Sequence, residues 1–182
     1  ISAKLFKKSF LDQIIAGLNT NEVTRRFLSF LKWVGPFEKK LKNKKCDLVY
    51  FVHPTSRAAC LQQLNYIITV WDLSHRDTPE FPEVRDNGEF LRREFIYKNY
   101  LGQAYAVIAD SLTLKNNLSK RYGVDTEKII IMPFSPNPLM VKGSENVQKE
   151  SALSKFGLEE GFFFYPAQFW PHKNQIRILE AL

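Results

Sequence analysis

The run Tyr66-Ile67-Ile68-Thr69-Val70-Trp71 constrains this chain most: it is an unbroken β-branched and aromatic segment of strand length. A half-exposed strand alternates apolar and polar residues. A run without polar relief predicts a strand covered on both faces, as in a parallel sheet. Polarity then changes abruptly. Asp72, Ser74, His75, Arg76, Asp77 and Glu80 follow in quick succession, braced by Pro79 and Pro82. The spacing predicts a long charged loop with no regular element before about Gly88. Open α/β sheets take their ligands at the carboxyl ends of the strands, which makes this loop the candidate site. The same residue types also serve as plain turn formers and solvated caps, so the stretch alone leaves both readings open.

The neighbouring segments extend the pattern. Asp47 to Val52 reads as a short strand stopped at His53-Pro54, Tyr105 to Ala109 as a second, and Lys128 to Met132 as a third, closed by Pro133. Glu89 to Tyr105 predicts a helix with Glu89–Arg93 and Glu94–Lys98 pairs and an apolar side of Leu91, Phe95, Tyr97 and Leu101. Asp110-Ser111 predicts the cap of another helix, with Leu114, Leu118 and Tyr122 on one face and Gly123 at its end. Ile1 to Leu18 and about Thr20 to Trp33 predict two further helices. Strand, helix, strand, helix, strand with short connections is the order of a parallel α/β sheet of Rossmann type.

Composition shifts at Pro136. Residues 1–138 read as one Rossmann-like domain, 139–160 as a linker with a short helix from Glu150 to Phe156, and 161–182 as the start of a second domain. In that last part Gly161 to Tyr165 predicts a strand, Pro166 to His172 a loop and Lys173 to Leu182 a helix. A lysine at the start of a helix that follows a buried strand suits a phosphate, through amide dipoles and a full positive charge. A solvated surface lysine fits the same pattern. The chain opens without methionine and stops within a helical pattern, so it reads as a piece of a longer protein.

The net charge of +7 is partly concentrated between Arg25 and Lys45, where Glu38 is the single acid and Phe27, Phe30, Leu31, Trp33, Val34 and Phe37 are interleaved with the bases. That mixture suits an amphipathic helix on an anionic bilayer, a nucleic-acid groove, or a packed helix followed by a solvated basic turn. No apolar run approaches the length of a membrane span. Cys46 and Cys60 have no metal or disulfide spacing, which fits a reducing compartment.

Three signatures in order, TVWDLSHRDTPEFPEV, YAVIADSLTLKNNLSKRYGVDTEKIIIMPFSPNP and FFFYPAQFWPHKNQIRILEAL, resemble the family 4 (group 1) retaining glycosyltransferases. The similarity spans roughly Cys46 to Leu182 and is nearest to bacterial surface-polysaccharide mannosyltransferase-like members. It implies the GT-B architecture, in which two Rossmann-like domains face each other across a cleft. It implies transfer of a hexosyl group, mannosyl above all, from a nucleoside-diphosphate sugar (GDP-mannose or a UDP-sugar) to a glycan or lipid-linked acceptor, with no metal and no cofactor. Lys173 matches the lysine of the family's donor clamp, and Gln168 stands where the clamp has arginine. Ser111 matches a serine at a strand-to-helix turn, while Ser135 and Asn137 stand where relatives carry the loop before the hinge. Trp71 replaces the family's histidine near the transferred sugar, so Asp72 and His75 become the catalytic candidates. Arg76, Asp77 and Glu80 are candidates for acceptor hydroxyls.

The resemblance also places a first strand and glycine-rich loop before Ile1 and a two-glutamate motif after Leu182, so a piece limited to these residues is expected to be inactive by itself. A cytoplasmic place follows, peripheral on the inner face of the plasma membrane if the basic stretch meets lipid; nucleic acid is not an expected partner. The competing reading is a non-catalytic α/β module that binds an anionic membrane or nucleic acid through Arg25 to Lys45. A nicotinamide dehydrogenase is disfavoured by the lack of a Gly-x-Gly-x-x-Gly run.

Overall fold

A computed structural model describes residues 9–31, 33–138, 149–159 and 161–182. Four parallel strands, β1 (Leu48–Phe51), β2 (Asn65–Val70), β3 (Ala106–Ala109) and β4 (Ile129–Ile131), lie side by side in chain order. Phe51, Ile68, Val107 and Ile129 share one row of the register, and Val70, Ala109 and Ile131 share the next on that face. The protein is therefore α/β with a parallel sheet.

Among the described residues the helices are α1 (Phe10–Leu18), α2 (Glu22–Phe30), α3 (Pro36–Asn43), α4 (Ser74–Asp77), α5 (Pro82–Arg85), α6 (Glu89–Tyr100), α7 (Leu112–Tyr122), α8 (Lys149–Phe156) and α9 (Gln175–Ala181). Ile96, Tyr97 and Tyr100 of α6 and Leu114 and Leu118 of α7 join Ile68, Val70, Val107 and Ala109 in one core. Strand order without reversal explains this one-sided cover. Right-handed crossovers that always step the same way put their helices on the same face. The opposite face leaves Leu48, Tyr50, Val52 and Ile130 exposed. The expectation of strands covered on both faces thus holds only in part: on the second face Thr69 is buried, Ile67 and Ile108 are half-buried, and the edge strands are exposed.

Several expected elements differ. The stretch from Asp72 to Gly88 holds two short helices, α4 and α5, because the Leu73 carbonyl accepts from the amides of Arg76 (2.7 Å) and Asp77 (3.0 Å) and closes a turn. Helix α6 ends at Tyr100, and it buries Glu94, Ile96, Tyr97 and Tyr100, whereas Leu91 and Phe95 face outward. Helix α3 falls where one of the open readings of the basic stretch has a solvated turn. Its start is capped from a distance: the Asp12 carboxylate accepts from the Phe37 amide at 2.8 Å while also closing a capping box with Ser9 at the start of α1. Gly35 is required at that junction, since a Cβ there would stand 2.7 Å from Asp12 Oδ1 and 2.8 Å from Ile15 Cδ1. Ile1 to Lys8, where the first expected helix begins, lie outside the described residues.

By compactness the first unit extends to Pro133, and Phe134–Leu182 form the second together with Phe81–Glu83. The boundary thus falls a few residues before the expected one at 138. Most of the expected linker, residues 139–148, lies outside the described residues; α8 follows as expected, with Gly157 in the left-handed region behind it (φ 62°). Gly161 to Tyr165 forms no strand. A strand exists by pairing, and among the described residues none lies alongside this segment. Lys173 closes a 3-10 turn, and α9 begins only at Gln175, because Asn174 takes a left-handed conformation (φ 56°) between them.

Candidate functional site

The carboxyl ends of β1 and β2 adjoin, and they open into a small pocket of about 130 Å³ whose walls include His53, Trp71, Asp72, Arg92, Arg93 and Tyr97. Trp71, directly after β2, is 44% exposed. Asp72 is held firmly: its Oδ1 accepts from Arg93 Nη1 at 2.7 Å and from the Ser74 amide at 2.9 Å. Arg93 Nε donates in turn to Glu89 (2.8 Å), which also takes a two-point contact from Arg92 (2.7 Å each). These guanidinium donors hold the Glu89 carboxyl down at about 2. Four of the lining residues, Arg92, Arg93, Ile96 and Tyr97, come from α6, where helical spacing identified Arg93 only as a surface partner of Glu89. An aromatic plate beside a fixed carboxylate and two fixed guanidinium groups offers one apolar face and several preset hydrogen bonds.

His75 lies in the layer below. It has no exposed surface, and its Nε2 stands 3.1 Å from Glu94 Oε1 and 2.9 Å from the Tyr122 hydroxyl. A carboxylate only accepts, so the neutral ring carries its proton on Nε2 and leaves Nδ1, which has no hydrogen-bond partner among the described residues, as a lone pair. The rings of Tyr97 and Phe90 pack edge-on against it. Burial lowers the His75 pKa, against the pull of the Glu94 hydrogen bond.

Glu94 is the hub of this layer. Arg76 grips it at two points (2.6 Å each), Tyr122 donates at 2.6 Å and Lys98 approaches to 3.1 Å. The Arg76 bonds hold its carboxyl well below the usual carboxylate range. Arg76 is raised by the same contact and lies over the Tyr122 ring, 5.4 Å from its centre. Helical spacing marked Glu94 as a surface partner of Lys98 and gave no sign of its partners from α4 and α7.

The sequence candidates therefore separate. Asp72 lines the pocket, His75 packs against the wall residue Tyr97, Arg76 is engaged by Glu94 and Tyr122 away from the pocket lining, and Asp77 pairs with Arg121. Glu80 is exposed, with no ion pair among the described residues. Ser111 caps α7, accepting from the Leu114 amide at 3.2 Å and donating to Asp110 at 2.8 Å. Ser135 and Asn137 are exposed in the segment after β4.

In the second unit, Lys173 and Arg177 border an open pocket of about 610 Å³ together with Phe163, Phe164, Tyr165 and Ile178. The Tyr165 hydroxyl donates to the Lys173 carbonyl at 3.0 Å, which ties the turn to the apolar segment. Gln168 does not reach toward Lys173: its side-chain oxygen accepts from the Trp170 indole, and its carbonyl accepts from Gln175 at 2.7 Å. Arg177 was not among the sequence candidates. It lies four residues after Lys173 in the sequence, a spacing that could have drawn attention to it in the helix expected from Lys173. Among the described residues no group of His, Cys, Asp and Glu could hold a metal ion. Comparison of the chain with protein-family models and with curated proteins found no match.

Proposed function

We propose that this chain is part of a retaining, GT-B type glycosyltransferase that moves a hexosyl group, mannosyl by first preference, from a nucleoside-diphosphate sugar to a glycan or lipid-linked acceptor. The observation that carries the reading is the pocket at the carboxyl ends of β1 and β2, with Trp71 beside an oriented Asp72. A pyranose offers an apolar face to an aromatic ring and a rim of hydroxyls to carboxylate and guanidinium groups, and this pocket provides both kinds of partner.

Asp72 is the acceptor-facing catalytic candidate. Its carboxylate, kept in one orientation by Arg93 and the Ser74 amide, accepts a hydrogen bond from the attacking hydroxyl and positions it. His75 is a positioning residue rather than a contact, because no part of its ring reaches the surface. Lys173 is the donor-side candidate: an ammonium near the leaving diphosphate stabilises charge as the glycosidic bond breaks. Arg177 is placed to share that task, taking over part of what Gln168, turned toward Trp170, does not supply. Ser111, Ser135 and Asn137 remain donor-side candidates by resemblance alone, and Arg76, Asp77 and Glu80 acceptor-side ones, with Arg76 and Asp77 already engaged in ion pairs.

Calorimetric titration of the full-length protein that contains this segment with GDP-mannose and UDP-glucose tests the reading. Binding of one of them, weakened by about 2 kcal/mol in Lys173→Ala, is the expected result, the scale of a lost charged hydrogen bond. No binding of any nucleotide sugar overturns it.

A further inference from the structure

The amino end of the sheet, opposite Trp71 and Asp72, carries a second and larger pocket of about 490 Å³ between α2 and the segment that enters β2. Arg25, Arg26, Gln62, Gln63, Asn65 and Gln103 line it, and none of its lining residues is acidic. Two lysines reach its rim: Lys42 Nζ donates to Gln63 Oε1 at 2.5 Å, and Lys128 Nζ to the Gly102 carbonyl at 3.4 Å. The nearby acid, Glu38, is fully buried, and its carboxylate is occupied by the amides of Gln62 (2.9 Å), Gln63 (2.7 Å) and Leu64 (2.7 Å). Arg26 has an exposed partner in Glu22, whereas Arg25 makes no ion pair among the described residues. Guanidinium forks and primary amides are the donor set for a phosphate ester, and the one carboxylate that competes for them, Glu22, meets Arg26 in an exposed pair outside the lining.

The helix that brings in both arginines also carries an apolar face. Val23, Phe27 and Phe30 recur at i, i+4 and i+7, with Phe27 60% and Phe30 82% exposed, and Arg26 flanks that stripe. No helix among the described residues is long and apolar enough to cross a membrane, so this helix has the character of one that lies in an interface.

We propose that this pocket binds the phosphate of an anionic phospholipid head group, with Phe27 and Phe30 entering the acyl boundary beside it. A soluble phosphate ester would satisfy the same donors. The apolar face on the same helix favours the lipid, because a soluble ligand has no use for exposed phenylalanines. The inference is independent of the glycosyltransferase reading, since it uses the opposite end of the sheet.

The test is co-sedimentation with phosphatidylcholine vesicles with and without phosphatidylglycerol, alongside calorimetry with glycerol 1-phosphate. The expected result is binding only to the phosphatidylglycerol vesicles. Arg25→Gln/Arg26→Gln should weaken it roughly thirty-fold, at about 1 kcal/mol for each base near an anionic surface. Phe27→Ser/Phe30→Ser should weaken it as well, with an unchanged circular dichroism spectrum. Lys39→Gln/Lys40→Gln removes the same charge from exposed positions outside the pocket, and should weaken binding less than about three-fold. Equal loss in the two charge variants overturns the pocket in favour of diffuse attraction. Binding of glycerol 1-phosphate without vesicle binding overturns the lipid, and binding of neither overturns the site.

Discussion

Tyr66 to Val70 and Gly161 to Tyr165 are near equals in sequence, each a short unbroken apolar run, yet they have opposite fates. The first is the central strand β2, bonded to β1 on one side and β3 on the other, with Ile68 and Val70 sealed from solvent. The second is irregular and unpaired as a strand among the described residues, with Phe163 and Phe164 each 76% exposed. Hydrophobicity states what a segment gains from burial. Whether it becomes a strand depends on an edge being available to bond with. The polar surroundings differ too. The loop after β2 is anchored by the Glu94 hub, while the turn after Tyr165 is held by the Tyr165–Lys173 and Gln175–Gln168 bonds.

The sharpest way to break the comparison is to truncate one residue in each run. Ile68→Ala should lower unfolding stability by about 3–4 kcal/mol in urea titration, the cost of a cavity in a closed core. Next comes the hub. Glu94→Ala removes the shared partner of Arg76, Tyr122 and His75 and should cost about 3 kcal/mol, read from the same titration. Its acid sensitivity follows from the direction of the shifts. The His75 pKa is lowered from 6.5, so its contribution is complete above pH 6.5 and declines as the pH falls below that value. Glu94 and Glu89 are lowered from 4.5, so theirs begins to fade only below pH 4.5, reaching about 2 for Glu89. Stability measured against pH should therefore fall in two stages, and His75→Gln should abolish the first; a single stage in wild type would refute the buried neutral ring. Tyr122→Phe removes one donor to Glu94 and should cost about 1 kcal/mol. The smallest effect belongs to the other run: Phe163→Ala should change stability by less than about 0.5 kcal/mol. A loss as large as that of Ile68→Ala would mean that the segment has a packing partner after all.

Much of the sheet was legible because buried parallel strands leave a strong local trace. All four strands lie within a residue or two of their expected positions, and Ser111 and Gly123 bound α7 as their residue types predict. The candidate site was legible in one respect: the end of β2 was chosen, and Asp72 does face a pocket there. The rest was hidden for a physical reason. His75 and Arg76 carry the composition of a solvated loop, and only their approach to Glu94, 19 and 18 residues away, buries the His75 ring and ties down the exposed Arg76. Helix α3 was hidden likewise, because its cap, Asp12, lies 25 residues before Phe37.

From sequence alone came the parallel α/β class, the strand positions, the caps at Ser111 and Gly123, and the basic, aromatic character of the stretch after Arg25. Each rests on neighbours within a turn or two of the chain, where dihedral preference and periodicity act. Tertiary structure decided which face of the sheet is covered, that His75 and Glu94 are interior, that Trp71, Arg92 and Arg93 wall one pocket, and that Gly161 to Tyr165 stays unpaired. Those outcomes turn on buried partners and available edges, and burial is a property of the assembled fold that no local stretch contains.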